Sequence, residues 1–430
     1  MRLAVIAAVV FIVSASLAQA SDEALPFPED VIMLKGADLA PVSGVSISML
    51  NLIVFRDGEF ISAPFQVDEM REGEHVFDWV SEEGRKIGLH DRDVDGGRLD
   101  DNDEVLFMGR DLGEKAENLS VLSAETVVEI VVSDKGKGLS GYAYIVSSSN
   151  WDTSEKDYVE MKIREGRLYI ETERYSFSGL ADRGFFDTLR MRKADGSFTK
   201  DITVRNGTPA RLELRFIGLG GTLDFYDLIR GTTVATKDGS IRALWRCTGA
   251  ADFGVFKIKG EGATEQHYYM NRMDQPVTMD IPFNFASVLD RFAIRGTMVY
   301  EDAALPVTYY GPDFREGVKI TGQSEEGEPI IGEVKRDWCA VDAGGATYYF
   351  LVFFSDEWTP VLDRTAYIHD GPESGEAGTY FGNMVDLLTK GLHQYMIRYY
   401  IVPYGFEWGD EDKIPEIRGR ELTVSSRHVH

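Results

Sequence analysis

Residues 210–216 read Ala-Arg-Leu-Glu-Leu-Arg-Phe, so apolar and charged side chains alternate along the whole segment. Successive side chains of a β-strand point to opposite faces of its sheet, and the alternation therefore predicts a strand with one buried face. Similar segments run from Val127 to Val132, from Tyr142 to Val146 and from Arg291 to Tyr300. Together they predict an all-β protein with antiparallel sheets.

Turn-forming pairs separate the predicted strands, for example Asp195-Gly196, Asn206-Gly207 and Gly344-Gly345. The chain contains 43 glycines against 14 prolines, which suits a protein with many tight turns. Few helices are expected. The best helical candidate is residues 382–395, where apolar residues recur at helical spacing.

The 430 residues, of which 43% are hydrophobic, suffice for two domains. The strand pattern ends in a serine run near residue 150, and the polar stretch 151–157 that follows marks the predicted boundary. We predict an antiparallel β-sandwich at 21–150, a larger β-sandwich at 151–420, and a charged, flexible tail at 421–430.

The first 20 residues have the pattern of a secretory signal peptide. Arg2 precedes a mainly apolar run from Leu3 to Leu17, and Ala18-Gln19-Ala20 is a small-x-small cleavage site. The run is shorter than the roughly 20 residues that a bilayer span requires, and no later stretch is apolar enough. We therefore expect an exported protein, periplasmic or extracellular, with no membrane span.

The formal net charge is −26, and removal of Arg2 with the signal peptide makes it −27. Such an acidic protein repels phosphate backbones, so nucleic acid is not an expected partner. Polyanionic substrates are repelled as well, unless a bound cation or a local basic cleft offsets the charge.

The most specific chemical signal is the segment from Asp91 to Glu104, which holds seven carboxylates in fourteen residues. Asp91, Asp93 and Asp95 alternate before two glycines, an arrangement that can wrap oxygen ligands around a hard cation such as calcium. Magnesium is less favoured because it keeps its waters. The alternative is a well-hydrated acidic turn in which screening keeps the repulsion small.

With Gly97 counted as an inserted residue, this segment resembles the calcium loops of dockerins and related EF-hand-like modules. The strand pattern Glu104 to Met108 follows directly, so a calcium loop that pins a β-hairpin fits better than an EF-hand domain. The resemblance implies calcium as the cofactor and five aspartates as its ligands: Asp91, Asp93, Asp95, Asp100 and Asp103.

A second resemblance joins the segment Ala63-Pro-Phe-Gln-Val-Asp-Glu69 to the Leu-Asp-x-x-Asp-Glu-x-x-Phe pattern at 99–107. This pairing resembles secreted bacterial β-sandwich proteins, some of them associated with polysaccharide breakdown. It implies that the larger domain is a mutarotase- or lyase-like sandwich, and that Gln66 and Asp68 lie beside the calcium loop. Ordinary polarity on the solvent face of a strand is the alternative for these two residues.

The chain has two cysteines, Cys247 and Cys339. In an oxidising compartment they could form one disulfide that closes a loop of about 90 residues. Two separate buried thiols are the alternative. Nothing in the neighbouring sequence supports a nucleophilic cysteine.

Histidine and tyrosine clusters are the candidates for catalysis: His267-Tyr268-Tyr269, Tyr309-Tyr310 and His369-Asp370. A polysaccharide lyase needs such a base beside a positive group or calcium, although a tyrosine on a strand is more often packing. The sequence has no spaced histidine metal motif, nucleophile elbow, phosphate loop or dinucleotide fingerprint. Catalytic and ligand-binding residues therefore stay unassigned. Four tryptophans either form a carbohydrate-binding platform or pack in cores: Trp79, Trp151, Trp358 and Trp408.

We predict an exported, calcium-stabilised β-sandwich protein that binds a glycan or a cell-envelope component. The first alternative is a carbohydrate-active enzyme, either a polysaccharide lyase or a glycoside hydrolase. The second is an envelope structural or assembly protein. Convergent acidic, basic and arginine groups in a groove would favour the enzyme, whereas a face of exposed tryptophans would favour the binding protein.

Overall fold

The computed structural model describes residues 29–429 with the exception of several short segments. The predicted signal peptide lies outside the described residues. The segments left out are 137, 182–184, 204–209, 217–218, 225–228, 254–255, 282, 288, 302–303, 324–329, 334–337, 355–363, 372–373, 410–413 and 415–421.

The N-terminal part is built from ten short strands. They are β1 Val31–Lys35, β2 Leu50–Arg56, β3 Glu59–Ala63, β4 Phe65–Asp68, β5 Met70–Arg71, β6 Glu74–His75, β7 Trp79–Val80, β8 Glu104–Met108, β9 Thr126–Asp134 and β10 Leu139–Ser147.

The remainder of the chain contributes longer strands. They are β11 Val159–Arg164, β12 Arg167–Thr172, β13 Tyr175–Leu180, β14 Phe185–Met191, β15 Ile202–Thr203, β16 Ala210–Phe216, β17 Leu219–Asp224, β18 Ile229–Lys237, β19 Ala243–Phe253, β20 Phe256–Tyr268, β21 Arg272–Ile281, β22 Arg291–Glu301, β23 Val307–Gly311, β24 Phe314–Ile320, β25 Ile330–Glu333, β26 Trp338–Asp342, β27 Thr347–Phe354, β28 Arg364–Gly371, β29 Ser374–Phe381, β30 Gly391–Val402 and β31 Leu422–His428.

Helices are few, as predicted. The α-helix of the described residues is α1, Glu82–Lys86, whose N-cap Ser81 accepts a hydrogen bond from the backbone N–H of Gly84. Among these residues, no helix has the length and apolar character needed to cross a bilayer. The 3₁₀-helices are Gly36–Val42, Ile47–Met49, Gly109–Asp111, Ser120–Leu122 and Phe285–Ser287.

The N-terminal strands form a β-sandwich. A five-stranded sheet has the order β3-β2-β10-β9-β31, and a three-stranded sheet has the order β1-β8-β4. Leu99, Val105 and Ile130 are fully buried in the apolar core that these sheets share. The core forms because alternate side chains of both sheets point toward each other.

The larger part contains three sheets around one core. Their strand orders are β11-β12-β13-β14-β15, β17-β16-β22-β29-β28-β25 and β24-β23-β26-β27-β30-β21-β20-β19-β18-β7. The registered pairs between described strands are antiparallel, for example β16 with β22 and β21 with β30. The all-β, antiparallel sandwich class is therefore confirmed. In the ten-stranded sheet, residues such as Trp245 and Tyr348 face the core, and their sequence neighbours lie on the opposite face.

Each part of the chain extends a sheet of the other. Strand β7 pairs with β18 at the edge of the ten-stranded sheet, and β31 pairs with β9 in the N-terminal sheet, where Val424 lies opposite Val132. The prediction of a flexible tail at 421–430 is therefore wrong for residues 422–428. The backbone of these residues forms hydrogen bonds with the otherwise unpaired N–H and C=O groups at the edge of β9. Local composition carries no information about this long-range pairing.

The predicted helix at 382–395 is also wrong. Residues 385–387 form a turn, and β30 begins at Gly391, which adopts a positive φ of 136°. Met384 and Leu388 are buried, so the apolar spacing reflects burial. The long-range pairing of β30 with β21 and β27 determines the local structure instead.

Cys247 and Cys339 are buried free thiols. They lie on β19 and β26, which are five positions apart in the ten-stranded sheet. Neighbouring strands are spaced about 4.8 Å apart, far beyond the reach of a disulfide after five steps. Burial raises the pKa of both thiols. The structure therefore agrees with the second alternative for the cysteines, two separate buried thiols, and not with a disulfide.

Candidate functional site

Six polar side chains share the face of the ten-stranded sheet that points away from its core, and we call them the polar strip. The register places Arg246 opposite Glu265, and Asp274 opposite both His267 and Arg398. The strip crosses four neighbouring strands, β19, β20, β21 and β30. Its members are Arg246, Glu265, His267, Arg272, Asp274 and Arg398.

Two arginines converge on Asp274 at one end of the strip. Its Oδ1 accepts from Arg398 Nε at 2.6 Å and its Oδ2 from Arg398 Nη2 at 2.8 Å. Arg272 Nε lies 3.3 Å from Oδ2, and the guanidinium of Arg272 stacks 4.2 Å above the ring of Tyr269. Burial raises the pKa of Asp274, yet the two guanidinium groups outweigh it and hold that pKa below its usual value.

Two histidines share one carboxylate oxygen at the other end. Glu265 Oε1 lies 2.9 Å from His267 Nε2 and 2.7 Å from His75 Nδ1. Burial lowers the pKa of His267, although the Glu265 carboxylate opposes this effect. The imidazole is therefore neutral at pH 7. Because Glu265 is ionised and accepts the Nε2–H, the Nδ1 of His267 carries the lone pair. His267 is therefore a neutral base oriented by a carboxylate.

The cationic groups of the strip are closer to solvent than its carboxylates. The side chains of Arg246, Arg272 and Arg398 are 21%, 17% and 13% exposed, against 7% for Glu265 and 5% for Asp274. The strip holds three arginines and two carboxylates, and a third carboxylate beside it, Glu74, lies 3.6 Å from Arg246 Nη1 with 42% of its side chain exposed. At the Asp274 end, a ligand that approaches this face meets the guanidinium groups of Arg272 and Arg398 before the carboxylate.

A half-buried apolar patch lies next to the strip on the same face. Pro276 pairs with Met396, which in turn lies opposite Phe353 on β27. The guanidinium of Arg398 lies 5.5 Å from the ring centre of Phe353. Hydrogen-bond donors and acceptors are thus adjacent to apolar surface that remains partly open.

A buried ion cluster joins the N-terminal sandwich to the larger part, and we call it the junction cluster: Asp68, His75, Glu104, Lys237 and Arg242. Arg242 donates to Asp68 Oδ2 from Nε at 2.9 Å and from Nη2 at 2.5 Å, and its Nη2 also donates to Glu104 Oε2 at 2.6 Å. Lys237 Nζ lies 3.0 Å from Asp68 Oδ1. Opposite charges therefore compensate one another where water is excluded.

His75 connects the junction cluster to the polar strip. Its Nε2 lies 3.3 Å from Glu104 Oε2, and its Nδ1 contacts Glu265. Burial lowers the pKa of His75 and Arg242 opposes protonation, but hydrogen bonds to Glu104 and Glu265 outweigh both effects and raise it to about 9. For Glu104, burial raises the pKa, whereas His75 and Arg242 bring it far below its usual value. His75 is thus a cation at pH 7.

The backbone of Asp68 lies beside the acidic loop, opposite Glu104 at the end of that loop, as the second resemblance implies, but the side chains of Gln66 and Asp68 do not share the loop's hydrogen bonds. Gln66 is buried, and its Oε1 accepts from the backbone N–H groups of Ile241 and Arg242 at 2.9 Å. Asp68 is fully buried. Both side chains therefore bind the larger part of the chain instead of the acidic loop, and neither lies on a solvent face.

The acidic loop brings together two of the five predicted ligands and adds a third carboxylate. Oxygen atoms of Glu69, Asp93 and Asp95 lie within 4.8 Å of one another. Asp91 instead pairs with Arg85 at 2.5 Å. Asp93 and Asp95 also stabilise the backbone of the loop. Asp93 accepts a hydrogen bond from the N–H of Asp95 at 3.0 Å, and Asp95 accepts one from the N–H of Gly97 at 2.9 Å.

The remaining two predicted ligands hold the end of the loop. Asp100 accepts from the N–H of Asn102 at 3.0 Å. Asp103 accepts from the N–H groups of Asp100 at 2.9 Å and Met70 at 3.0 Å. Burial, reinforced by Asp100 and Asp95, raises the pKa of Asp103 to about 6. The negative charges of the neighbouring carboxylates therefore disfavour ionisation of Asp103.

The donor set fits a hard cation. Burial first, and then the neighbouring carboxylates Asp93, Asp103 and Asp95, raise the pKa of Glu69. Its Oε1 is buried and has no hydrogen-bond partner within the described part of the chain. Calcium would ligate such a buried carboxylate oxygen without a hydrogen-bond donor, together with the neighbouring carboxylates that repel it.

The surroundings of the loop differ from those of an EF-hand. The five-residue helix α1 precedes it, and strand β8 follows at Glu104, as predicted. However, β8 pairs with β1 and β4. The loop therefore connects a helix to a strand, and the prediction that it pins a β-hairpin is wrong.

The other sequence candidates are mostly structural. Tyr309 is buried in the main core, and Asp370 accepts from the backbone N–H groups of Thr321 at 2.9 Å and Gly322 at 2.6 Å. Trp79 and Trp408 are 49% and 38% exposed. They lie far apart in the sheet order, on the edge strand β7 and beyond β30. Trp151 is partly buried, and Trp358 lies outside the described residues.

No family model and no curated protein matches the sequence. An α-mannosidase from Enterococcus faecalis matches 94% of this chain and 45% of its own, at 6% identity and a TM-score of 0.47. A putative aldose 1-epimerase from Klebsiella pneumoniae matches 61% of this chain and 88% of its own, at 13% identity and a TM-score of 0.39. An aldose epimerase homologue from C. elegans matches 57% of this chain and 98% of its own, at 7% identity and a TM-score of 0.32. The chain spans less than half of the mannosidase, and these similarities to carbohydrate-active enzymes concern the fold alone.

Proposed function

We propose that this protein is exported and binds a glycan on the polar strip. The observation that supports the proposal is the juxtaposition of charged donors and acceptors with the half-buried patch of Pro276, Phe353 and Met396. Sugars present hydroxyl groups beside apolar C–H faces, so a site that orders both kinds of surface suits them. A neutral apolar ligand would offer no acceptor to the partly exposed guanidinium groups of the strip.

A carbohydrate-active enzyme is the second candidate, a polysaccharide lyase or glycoside hydrolase. It is favoured by the contact between His267 and Glu265, because a neutral imidazole held by a carboxylate can accept a proton from a bound sugar. Binding on the strip is common to both candidates, and turnover distinguishes them.

A glycan array probed with the chain lacking residues 1–20 tests the proposal. We expect Arg272→Gln to weaken binding of the selected glycan by a factor of at least about ten, the range of one charge-assisted contact. The matched control is Arg190→Gln, which removes an exposed arginine that pairs with Asp201 at 2.6 Å on another sheet. Equal losses in both variants, or no binding to any glycan, would contradict the proposal. If the glycan is cleaved, and His267→Gln stops cleavage without loss of binding, the second candidate function, a carbohydrate-active enzyme, is correct.

We also propose that Glu69, Asp93 and Asp95 hold a calcium ion, with Asp103 beside it. The unpaired buried Oε1 of Glu69 and the raised pKa of its carboxyl group support this set. A bound cation would convert repulsion among these carboxylates into ligation and would fix the loop against β4 and β5. Magnesium fits less well because it retains its waters.

Thermal unfolding with and without calcium tests this site. Free calcium at 100 times its dissociation constant should stabilise the fold by about 2.7 kcal/mol and raise the midpoint accordingly. The double variant Asp93→Asn/Asp95→Asn should lose that response. Asp91→Asn should keep it, because Asp91 pairs with Arg85. A midpoint that calcium and chelator leave unchanged, or that magnesium raises equally, would contradict the proposal.

A further inference from the structure

We infer that the saccharide bound by the polar strip carries an anionic group, a carboxylate or a sulfate. This inference rests on the proposed function and names its ligand class. The strip has three arginines and two carboxylates, and the carboxylates are the more deeply buried groups. Glu74 lies 3.6 Å from Arg246 Nη1 and offsets the charge of that arginine. An incoming ligand therefore meets positive charge at the Asp274 end of the strip, where Arg272 and Arg398 are more exposed than the carboxylate between them.

Two of the arginines have unused hydrogen-bond donors. The Nε–H groups of Arg246 and Arg272 are buried and donate no hydrogen bond within the residues that the structure describes. A guanidinium presents a fork of donors that matches the two oxygens of a carboxylate or sulfate. The side chains of Arg246 and Arg272 are 21% and 17% exposed, so an anionic group that enters the strip can contact their guanidinium groups.

Arg272 is also held in place before a ligand arrives. Its guanidinium lies 4.2 Å from the ring centre of Tyr269 and 6.0 Å from that of Tyr400. Stacking on aromatic rings restricts a side chain that otherwise has many rotamers, so less entropy is lost when it binds an anion. A neutral hydroxyl group makes less use of such a fixed cation than a charged oxygen does.

The net charge of −26 makes this local arrangement selective. Repulsion from the remainder of the protein is screened beyond about 8 Å at physiological ionic strength. Attraction to the strip is screened over the same distance, so it acts only when the anionic group is close to a guanidinium. Non-specific adsorption of polyanions is disfavoured by the same charge.

Matched pairs of probes test the inference by isothermal titration calorimetry. Tetragalacturonate is compared with its methyl ester, and a sulfated carrageenan tetrasaccharide with its desulfated form, so that the two members of each pair share a sugar backbone and differ in the anionic group. The same comparison is made for any glycan selected on the array. We expect the charged member of one pair to bind at least about tenfold more tightly, and the pair that shows this preference identifies carboxylate or sulfate.

Arg272→Gln and Arg246→Gln should each reduce that preference, and Arg190→Gln should preserve it. Two variants are used so that a folding defect in one, visible as a lowered melting midpoint, does not decide the result. If the uncharged member binds as tightly in every pair, the inference is overturned and the proposed function stands. If no glycan binds, the proposed function fails and the inference fails with it.

Discussion

Replacement of Arg242 by methionine is expected to lower the free energy of unfolding by about 3–5 kcal/mol. Arg242 is 2% exposed and donates to both Asp68 and Glu104. Methionine preserves most of the side-chain volume but leaves two buried carboxylates with less compensation. The cost arises mainly from these carboxylates, since removing one partner of a buried ion pair exposes the desolvation penalty of the other. Urea unfolding followed by circular dichroism measures the change.

The matched control is Arg85→Met, which removes an exposed arginine from its pair with Asp91. Such a pair is screened by solvent, and its loss should change the free energy of unfolding much less than the loss of Arg242 does. If Arg242→Met costs no more than Arg85→Met, the junction cluster does not hold the two parts of the chain together.

The strands were predictable because their signal is local. The alternation at 210–216 coincides with β16, and the apolar segment at Val127 to Val132 lies within β9. The secondary structure of residues 422–428 and of residues 382–395 was not predictable from such a local signal. In both cases a strand forms because of partners far away in the sequence, and intrinsic preference is too weak to decide.

The polar strip was only partly predictable. His267 stands out in the sequence because it is one of seven histidines, but arginines and lysines together number 45. Arg398 and Asp274 are 124 residues apart, and Arg242 and Asp68 are 174 apart. The register of several intervening strands must be known before such pairs can be found, and composition carries none of that information.

The acidic loop shows the same limit on a smaller scale. Gly96 and Gly97 adopt the positive φ values of 79° and 74° that the predicted turn requires. The sequence spacing selects Asp93 and Asp95 but misses Glu69, which reaches the cluster from the segment after β4. Glu69 directly follows Asp68 in the segment 63–69, and only the fold brings this segment next to the loop.

The stability of the fold should depend on pH through His75, and the size of the effect follows from its pKa. The value of about 9 in the folded state, against 6.5 ordinarily, corresponds to about 3 kcal/mol. The folded protein holds this proton more tightly than the unfolded chain. The stabilisation is therefore fully present below pH 6.5 and is lost as pH rises to 9.

Unfolding free energies of the wild type and His75→Gln at pH 6, 7.5 and 9.5 isolate this contribution. Glu104 and Glu265 have lowered pKa values, so both stay ionised throughout this range and continue to hold the imidazolium. The wild type should exceed the variant by the largest margin at pH 6, and the margin should shrink by about 3 kcal/mol at pH 9.5. His428→Gln, at the exposed end of β31, should retain the wild-type pH dependence. A margin that stays constant from pH 6 to 9.5 would mean that His75 is neutral in the fold. Arg242, Lys237 and Lys35, whose Nζ donates to Glu104 Oε1 at 2.7 Å, would then compensate the two carboxylates of the junction cluster without His75.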